Sequence, residues 1–180
     1  MYMAFYPYLY EHIPFASLAG KKVLEIGLGY GTVAQKLMEA GAAYHGLDVA
    51  AGPVGMARHR ADLLGVPADV LQGSALQNPH ASESLDYVVS IGCLHHTGDL
   101  AGALREVHRT LRPGGGASIM VYSALSYRQW RRLPAATFRR LRRPSRAMTP
   151  SSRPATSRRS PLIVNGGKPD PGATAMRMAR

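Results

Sequence analysis

Apolar and polar positions along the chain fall into two alternating textures. Short unbroken apolar runs are separated by longer stretches in which apolar residues return every third or fourth place. The run VLEI (residues 23–26) flows into three glycines at alternate positions, Gly27, Gly29 and Gly31, and reads as a buried strand ending in a tight turn. From Thr32 to about Ala40, Val33, Leu37 and Ala40 share one helical face, and Gly41 supplies the stop. Residues 44–47 form a second strand ending at Asp48, and Gly52-Pro53 opens a helix that ends near Gly65. A weak third strand covers residues 69–71, and DYVVSI (86–91) is a fourth. From about Asp99 a helix buries Leu100, Ala103, Leu104, Val107 and Leu111 along one stripe. The turn RPGGG (112–116) ends it, and ASIMVY (117–122) is a fifth strand.

Strands alternating with helices of this length require right-handed crossovers and a mostly parallel sheet, so the fold class is a doubly wound α/β domain. In such sheets a ligand lies outside the carboxyl ends of the strands, where the strand order reverses. That rule sorts the polar residues. Gly27, Gly29, Gly31, Asp48, Ser74 and the segment 92–97 all follow strand ends and face the ligand edge. Asp86 opens its strand and belongs to the opposite edge, where a carboxylate serves structure.

Charge divides the chain. Residues 1–127 hold 8 Lys or Arg against 10 Asp or Glu, whereas residues 128–180 hold 14 against a single acid, Asp170. The organisation expected is an aromatic segment over 1–20, the alternating domain over 21–127, a basic helix over 128–143 and an Arg/Pro/Ser-rich disordered tail over 144–180. Prolines in that tail are spaced too closely for a helix or a central strand, and its apolar residues are too few to offset the entropy of ordering it. The tyrosines Tyr2, Tyr6, Tyr8 and Tyr10 suit either a lid over a pocket or a segment packed on the domain edge. The one cysteine, Cys93, excludes an intrachain disulfide. With no apolar run long enough to span a membrane and no leader pattern at the start, a cytoplasmic protein is expected.

The glycine loop leaves its ligand open. A dinucleotide fingerprint has G-x-G-x-x-G, but here the third glycine comes one place early and Thr32 fills the expected position. Asp48 does not discriminate, because an acid after the second strand holds a ribose in either case. Four stretches in order carry more weight: VLEIGLGYGT, GLDVA, LDYVVSIGCLHHTGD and ALREVHRTLRPGGGASIMVY. Together, over about residues 19–130, they resemble the class I S-adenosylmethionine-dependent methyltransferases, in particular the small-molecule group of the ubiquinone/menaquinone-biosynthesis type.

The resemblance implies S-adenosylmethionine as cofactor. It implies that Gly27, Gly29 and Gly31 let the backbone approach the cofactor's methionine part, with Glu25 supporting the loop from beneath, and that Asp48 accepts from both ribose hydroxyls. Gly92 falls at the same edge. Where the family often has an acid toward the adenine, this chain has Ser74, a weaker neutral acceptor or an ordinary loop serine. His95 and His96 stand where a general base would sit for a hydroxyl or acidic-carbon acceptor, although one of two neighbouring side chains has to point away. No metal is expected, since the histidines lack ligand spacing. Relatives close the sheet with two further strands, the last antiparallel; the tail composition implies that these are missing, leaving a shortened domain with an exposed edge prone to self-association. The expected partner is a small-molecule methyl acceptor. Two other classes stay open: a nicotinamide-dependent oxidoreductase of similar fold, and a nucleic-acid-binding module acting through the basic tail.

Overall fold

The structure is a computed structural model that describes residues 9–123 and two further strands, 162–163 and 173–179. Helix α1 (Leu9–His12) leads through a 3-10 turn at Phe15–Ser17 into strand β1 (Lys22–Ile26). Then follow α2 (Thr32–Glu39), β2 (Ala43–Asp48), α3 (Ala51–Leu64), β3 (Ala68–Gln72), β4 (Leu85–Ile91), α4 (Leu100–Thr110) and β5 (Leu111–Tyr122). These five strands are all parallel, in the spatial order β3-β2-β1-β4-β5. The chain therefore winds outward in one direction from β1 to β3, returns, and winds the other way from β4. The reversal between β1 and β4 opens a crevice at their carboxyl ends.

Side chains alternate across the sheet as the period of two requires. Val23, Tyr44, Val70, Tyr87 and Val89 pack on one face with Leu9, Ile13, Val33, Leu37 and Ala57. Leu24, Ile26, Leu47, Val88, Ala117 and Ile119 pack on the other with Leu94, Ala103 and Val107. Covering both faces is what makes these strands continuous apolar runs rather than alternating ones. Each fully buried Leu, Ile or Val contributes about 1.5–3 kcal/mol. Asp99 caps α4 by accepting the Gly102 N–H at 2.8 Å.

Asp86 lies at the edge remote from the crevice, as its place at a strand start implies. Its carboxylate accepts the Lys22 N–H at 2.8 Å and pairs with the Arg112 guanidinium at 2.6 Å. That pair spans the irregularity in β5. Leu111 is opposite Leu85 and Gly116 opposite Tyr87, so RPGG bulges out against Asp86 alone. The expected turn is real, but the strand begins before it.

Two short segments of the C-terminal region are described, both as strands. Strand β6 (Leu162–Ile163) pairs antiparallel with Val121 and Met120, and β7 (Ala173–Ala179) pairs antiparallel along Gly116–Ile119 and Tyr122. Among the described residues the sheet has seven strands, with β6 and β7 both beside β5. The physical reason is local: the run ATAMRMA follows the last proline of the tail, so every residue of it has an N–H to offer an open partner strand. The basic helix expected over 128–143 and the disorder expected of the rest of 144–180 lie outside the described residues. So does the lid reading of Tyr2, Tyr6 and Tyr8. What is described just after them, Leu9 and Ile13, is buried in the core.

Candidate functional site

The crevice holds a pocket of about 300 Å³ whose walls come from the ends of four strands. Ile26 ends β1 and Gly27 follows it, Leu47 and Asp48 end β2 and Val49 follows them, Gly73 to Leu76 follow β3, and Cys93, His96 and Thr97 follow β4. Four residues singled out from the sequence meet here: Gly27, Asp48, Ser74 and His96.

Gly27 is fixed by sterics. Its φ is +85°, and a Cβ there would lie 2.3 Å from the Cβ of Cys93. Only a bare backbone fits that turn. Asp48 ties two loops together. Its Oδ2 accepts the Leu28 N–H at 2.8 Å and its Oδ1 accepts the Ala50 N–H at 2.9 Å. Each carboxylate oxygen keeps a further lone pair for a ligand. Ser74 Oγ accepts the Leu76 N–H at 3.1 Å, which shapes the loop while leaving its O–H to donate.

Glu25 is not in the pocket wall. It is buried within β1 at 3% exposure, where the Tyr44 hydroxyl donates to its Oε2 at 2.7 Å. That contact needs a glycine opposite. Gly46 pairs with Glu25, and a Cβ on Gly46 would sit 3.0 Å from the Tyr44 hydroxyl. Gly29 lies in open solvent, and Gly31, at φ +69°, supplies the residue before α2. Gly92 lies under the Tyr122 hydroxyl and the Met120 methyl, outside the pocket lining. The His95 ring meets those of His96 and Tyr122 at a tilt, with centroids 3.9 and 4.3 Å away. The two histidines therefore divide: His96 faces the pocket and His95 leans on the end of β5.

Residues 24–119 match a family model described as a methyltransferase domain. The chain belongs to that family. The ubiquinone biosynthesis O-methyltransferase of Pseudomonas aeruginosa is 37% identical to this methyltransferase domain over 101 residues, covering 56% of this chain and 44% of that one. The enzyme of the same name from Azorhizobium caulinodans is 34% identical over 109 residues, 61% of this chain and 42% of that one. The chain thus spans less than half the length of these curated relatives. Among solved structures, an S-adenosylmethionine-dependent methyltransferase from Mesorhizobium loti superposes with a TM-score of 0.58 at 25% identity, over 68% of this chain and 55% of that one. The resemblance to class I S-adenosylmethionine-dependent methyltransferases holds.

The electrostatics of this methyltransferase domain follow from burial. Glu25 has its pKa raised to about 8, first by loss of solvent and further by the Asp48 charge, against the lowering effect of the Tyr44 hydrogen bond. At neutral pH it is a neutral acid. Burial likewise pushes the Cys93 thiol up to about 11, with Asp48 and Glu25 adding to the shift, so it stays protonated. Asp48 contributes a carboxylate to a lining otherwise built of apolar side chains, two glycines, Ser74, Cys93, His96 and Thr97. Among the described residues no group of three or more His, Cys, Asp and Glu could hold a metal, and no helix is long and apolar enough to cross a membrane. The sequence reading missed the apolar wall, Leu47, Val49, Ala75 and Leu76, because side chains of that kind carry no motif. Cys93 was visible only as a thiol and not as the residue that closes on Gly27.

Proposed function

We propose that this domain binds S-adenosylmethionine in the crevice and directs methyl transfer to a small-molecule acceptor. The observation that carries the reading is the convergence of Gly27, Asp48, Ser74 and His96 on one pocket at the strand-order reversal. The residues present fit the cofactor. Asp48 has lone pairs on both oxygens for a vicinal ribose diol, a charge-assisted contact. Leu47, Val49, Ala75 and Leu76 form an apolar wall suited to a flat base, with the Ser74 hydroxyl beside it. The bare backbone at Gly27 admits a close main-chain approach by the methionine part, and a neutral Glu25 beneath supports the loop without adding charge.

When bound, the cofactor supplies an electrophilic methyl group on a sulfonium. The protein's contribution is alignment and exclusion of water, because little charge is created along an in-line displacement. A base is needed where the acceptor is a hydroxyl. His96 faces the pocket and is assigned that role, with His95 holding it through ring contact. The relatives' name, O-methyltransferase of ubiquinone biosynthesis, supports an oxygen acceptor. A chain with a single cysteine forms no disulfide of its own, which fits work in the reducing cytoplasm.

Calorimetry with S-adenosylmethionine, S-adenosylhomocysteine and NAD tests the reading: the first two are expected to bind at micromolar levels and NAD not at all. Binding of NAD without either sulfur compound would overturn it. Isotope-labelled S-adenosylmethionine incubated with a metabolite extract then identifies the acceptor.

A further inference from the structure

The connection after β3 contributes Gly73 to Leu76 to the pocket wall, and a single residue, Gln77, separates that wall from Asn78. The backbone of Asn78 is held on both sides by α4. Its N–H donates to Glu106 Oε2 at 3.1 Å, and its carbonyl accepts from Arg109 Nη2 at 2.9 Å. Arg109 goes on to hold the rest of the connection. Its Nη1 donates to the His80 carbonyl at 3.0 Å and to Ser82 Oγ at 3.2 Å. The guanidinium is aimed by a fork onto Glu106, with Nε to Oε1 at 3.0 Å and Nη2 to Oε2 at 2.9 Å. One turn earlier in the same helix, Gly102 abuts the wall directly, since a Cβ there would stand 3.3 Å from Leu76 Cδ2.

We infer that Arg109, aimed by Glu106, is a positioning residue for the pocket: it clamps the connection after β3 to α4 and so fixes the Ser74–Leu76 wall. The inference rests on the reading of that pocket as the cofactor site. With Asn78 pinned at both its N–H and its carbonyl, the freedom left to the wall is that of Gln77 and of the Ser74 turn itself. The clamp also joins opposite sides of the pocket. Helix α4 begins directly after the loop that carries His96 and Thr97, so one rigid element sets both the β3-side and the β4-side walls. A planar fork is needed for this, because one group must reach Glu106 and three separate acceptors in fixed directions; a lysine ammonium has the charge without the geometry.

The test uses the full chain with S-adenosylhomocysteine as probe. Arg109→Lys is expected to weaken binding about tenfold, as misplaced walls do, and to speed hydrogen exchange at residues 73–77. Arg112→Ala, which breaks the Asp86 pair at the remote edge, serves as the stability control and is expected to lower the melting temperature with unchanged affinity. Should Arg109→Lys unfold the chain, Glu106→Gln keeps the shape of the aiming side chain and is expected to show the same loss of affinity in milder form. Parent affinity in an Arg109 or Glu106 variant whose melting temperature has fallen like that of Arg112→Ala would overturn the inference, leaving the clamp purely structural. A parent chain that does not bind S-adenosylhomocysteine removes the reading of the pocket itself, and the inference with it.

Discussion

Replacing Glu25 by glutamine removes an ionisation that the core suppresses, and the effect on stability has a definite sign. In the unfolded chain a glutamate releases its proton near 4.5, whereas in the fold Glu25 keeps it up to about 8. Between those values the native state binds a proton that the unfolded state has given up. Stability therefore falls as pH rises through this window, by up to about 1.4 kcal/mol per unit, and levels off above about pH 8. Integrated from about pH 5 to about pH 8, the loss is on the order of 3 kcal/mol, a large share of the roughly 5–15 kcal/mol by which domains are stable. Glutamine keeps the acceptor for the Tyr44 hydroxyl but cannot ionise. Its amide adds a buried donor costing about 1 kcal/mol, independent of pH. Urea denaturation of parent and Glu25→Gln at intervals across this range provides the measurement. The parent curve should slope downward and the variant curve stay flatter, with the variant gaining on the parent as pH rises. Parallel curves would show that Glu25 ionises in the fold as an ordinary carboxylate, and the argument from burial would fail.

Asp48→Asn is expected to weaken S-adenosylhomocysteine binding by about 1.5–3 kcal/mol, the scale for hydrogen bonds to a charged group, while Asp86→Asn lowers the melting temperature and spares affinity; calorimetry paired with thermal denaturation separates them, and the reverse pattern would contradict the assignment of the two carboxylates to opposite edges. Gly46→Ala forces a methyl against the Tyr44 hydroxyl, Leu28 and Val70, costing about 1–3 kcal/mol. It also loosens the hydrogen bond that lowers the pKa of Glu25, so the downward slope of stability should extend to higher pH, and a variant with an unchanged profile would refute the link. Asp99→Ala removes the cap of α4 and is expected to cost about 1 kcal/mol, read from the urea midpoint.

Much of this fold is visible in the chain because its strands are buried on both faces. The reading of 44–47 as strand and the observed Ala43–Asp48 differ by one residue at each end, and the buried residues Tyr44, Gly46 and Leu47 all lie inside the range read from the sequence. The start of β5 was less legible. Leu111 joins the sheet before RPGG bulges away, and nothing in a Pro-Gly stretch announces a ladder on its far side. Pairing such as that of β7 with β5 depends on a partner edge that only the assembled sheet supplies, so the composition of the segment does not announce it. At the site, the glycine loop and Asp48 stood out because few residue types can do their work. The Arg109 clamp did not, because Glu106 and Arg109 sit on a helix where a charged pair three apart is ordinary and their targets lie 27–31 residues away.

The contact between Gly27 and Cys93 also constrains how this pocket can change over a series of mutations. The obstruction to a side chain at 27 is first the Cβ of Cys93, at 2.3 Å, with the sulfur next at 2.6 Å. Exchanging Cys93 for serine or alanine therefore opens no route to Gly27→Ala, since every residue except glycine carries the blocking carbon. Glycine at 93 would come first, and it would loosen the loop that presents His96 before any gain at 27 could appear. Even then, an alanine at φ +85° would bear the cost of a left-handed backbone, about 1–2 kcal/mol. The two positions form a locked pair: position 93 can vary in chemistry while position 27 stays a glycine, and neither order of substitution offers a neutral first step to a wider wall.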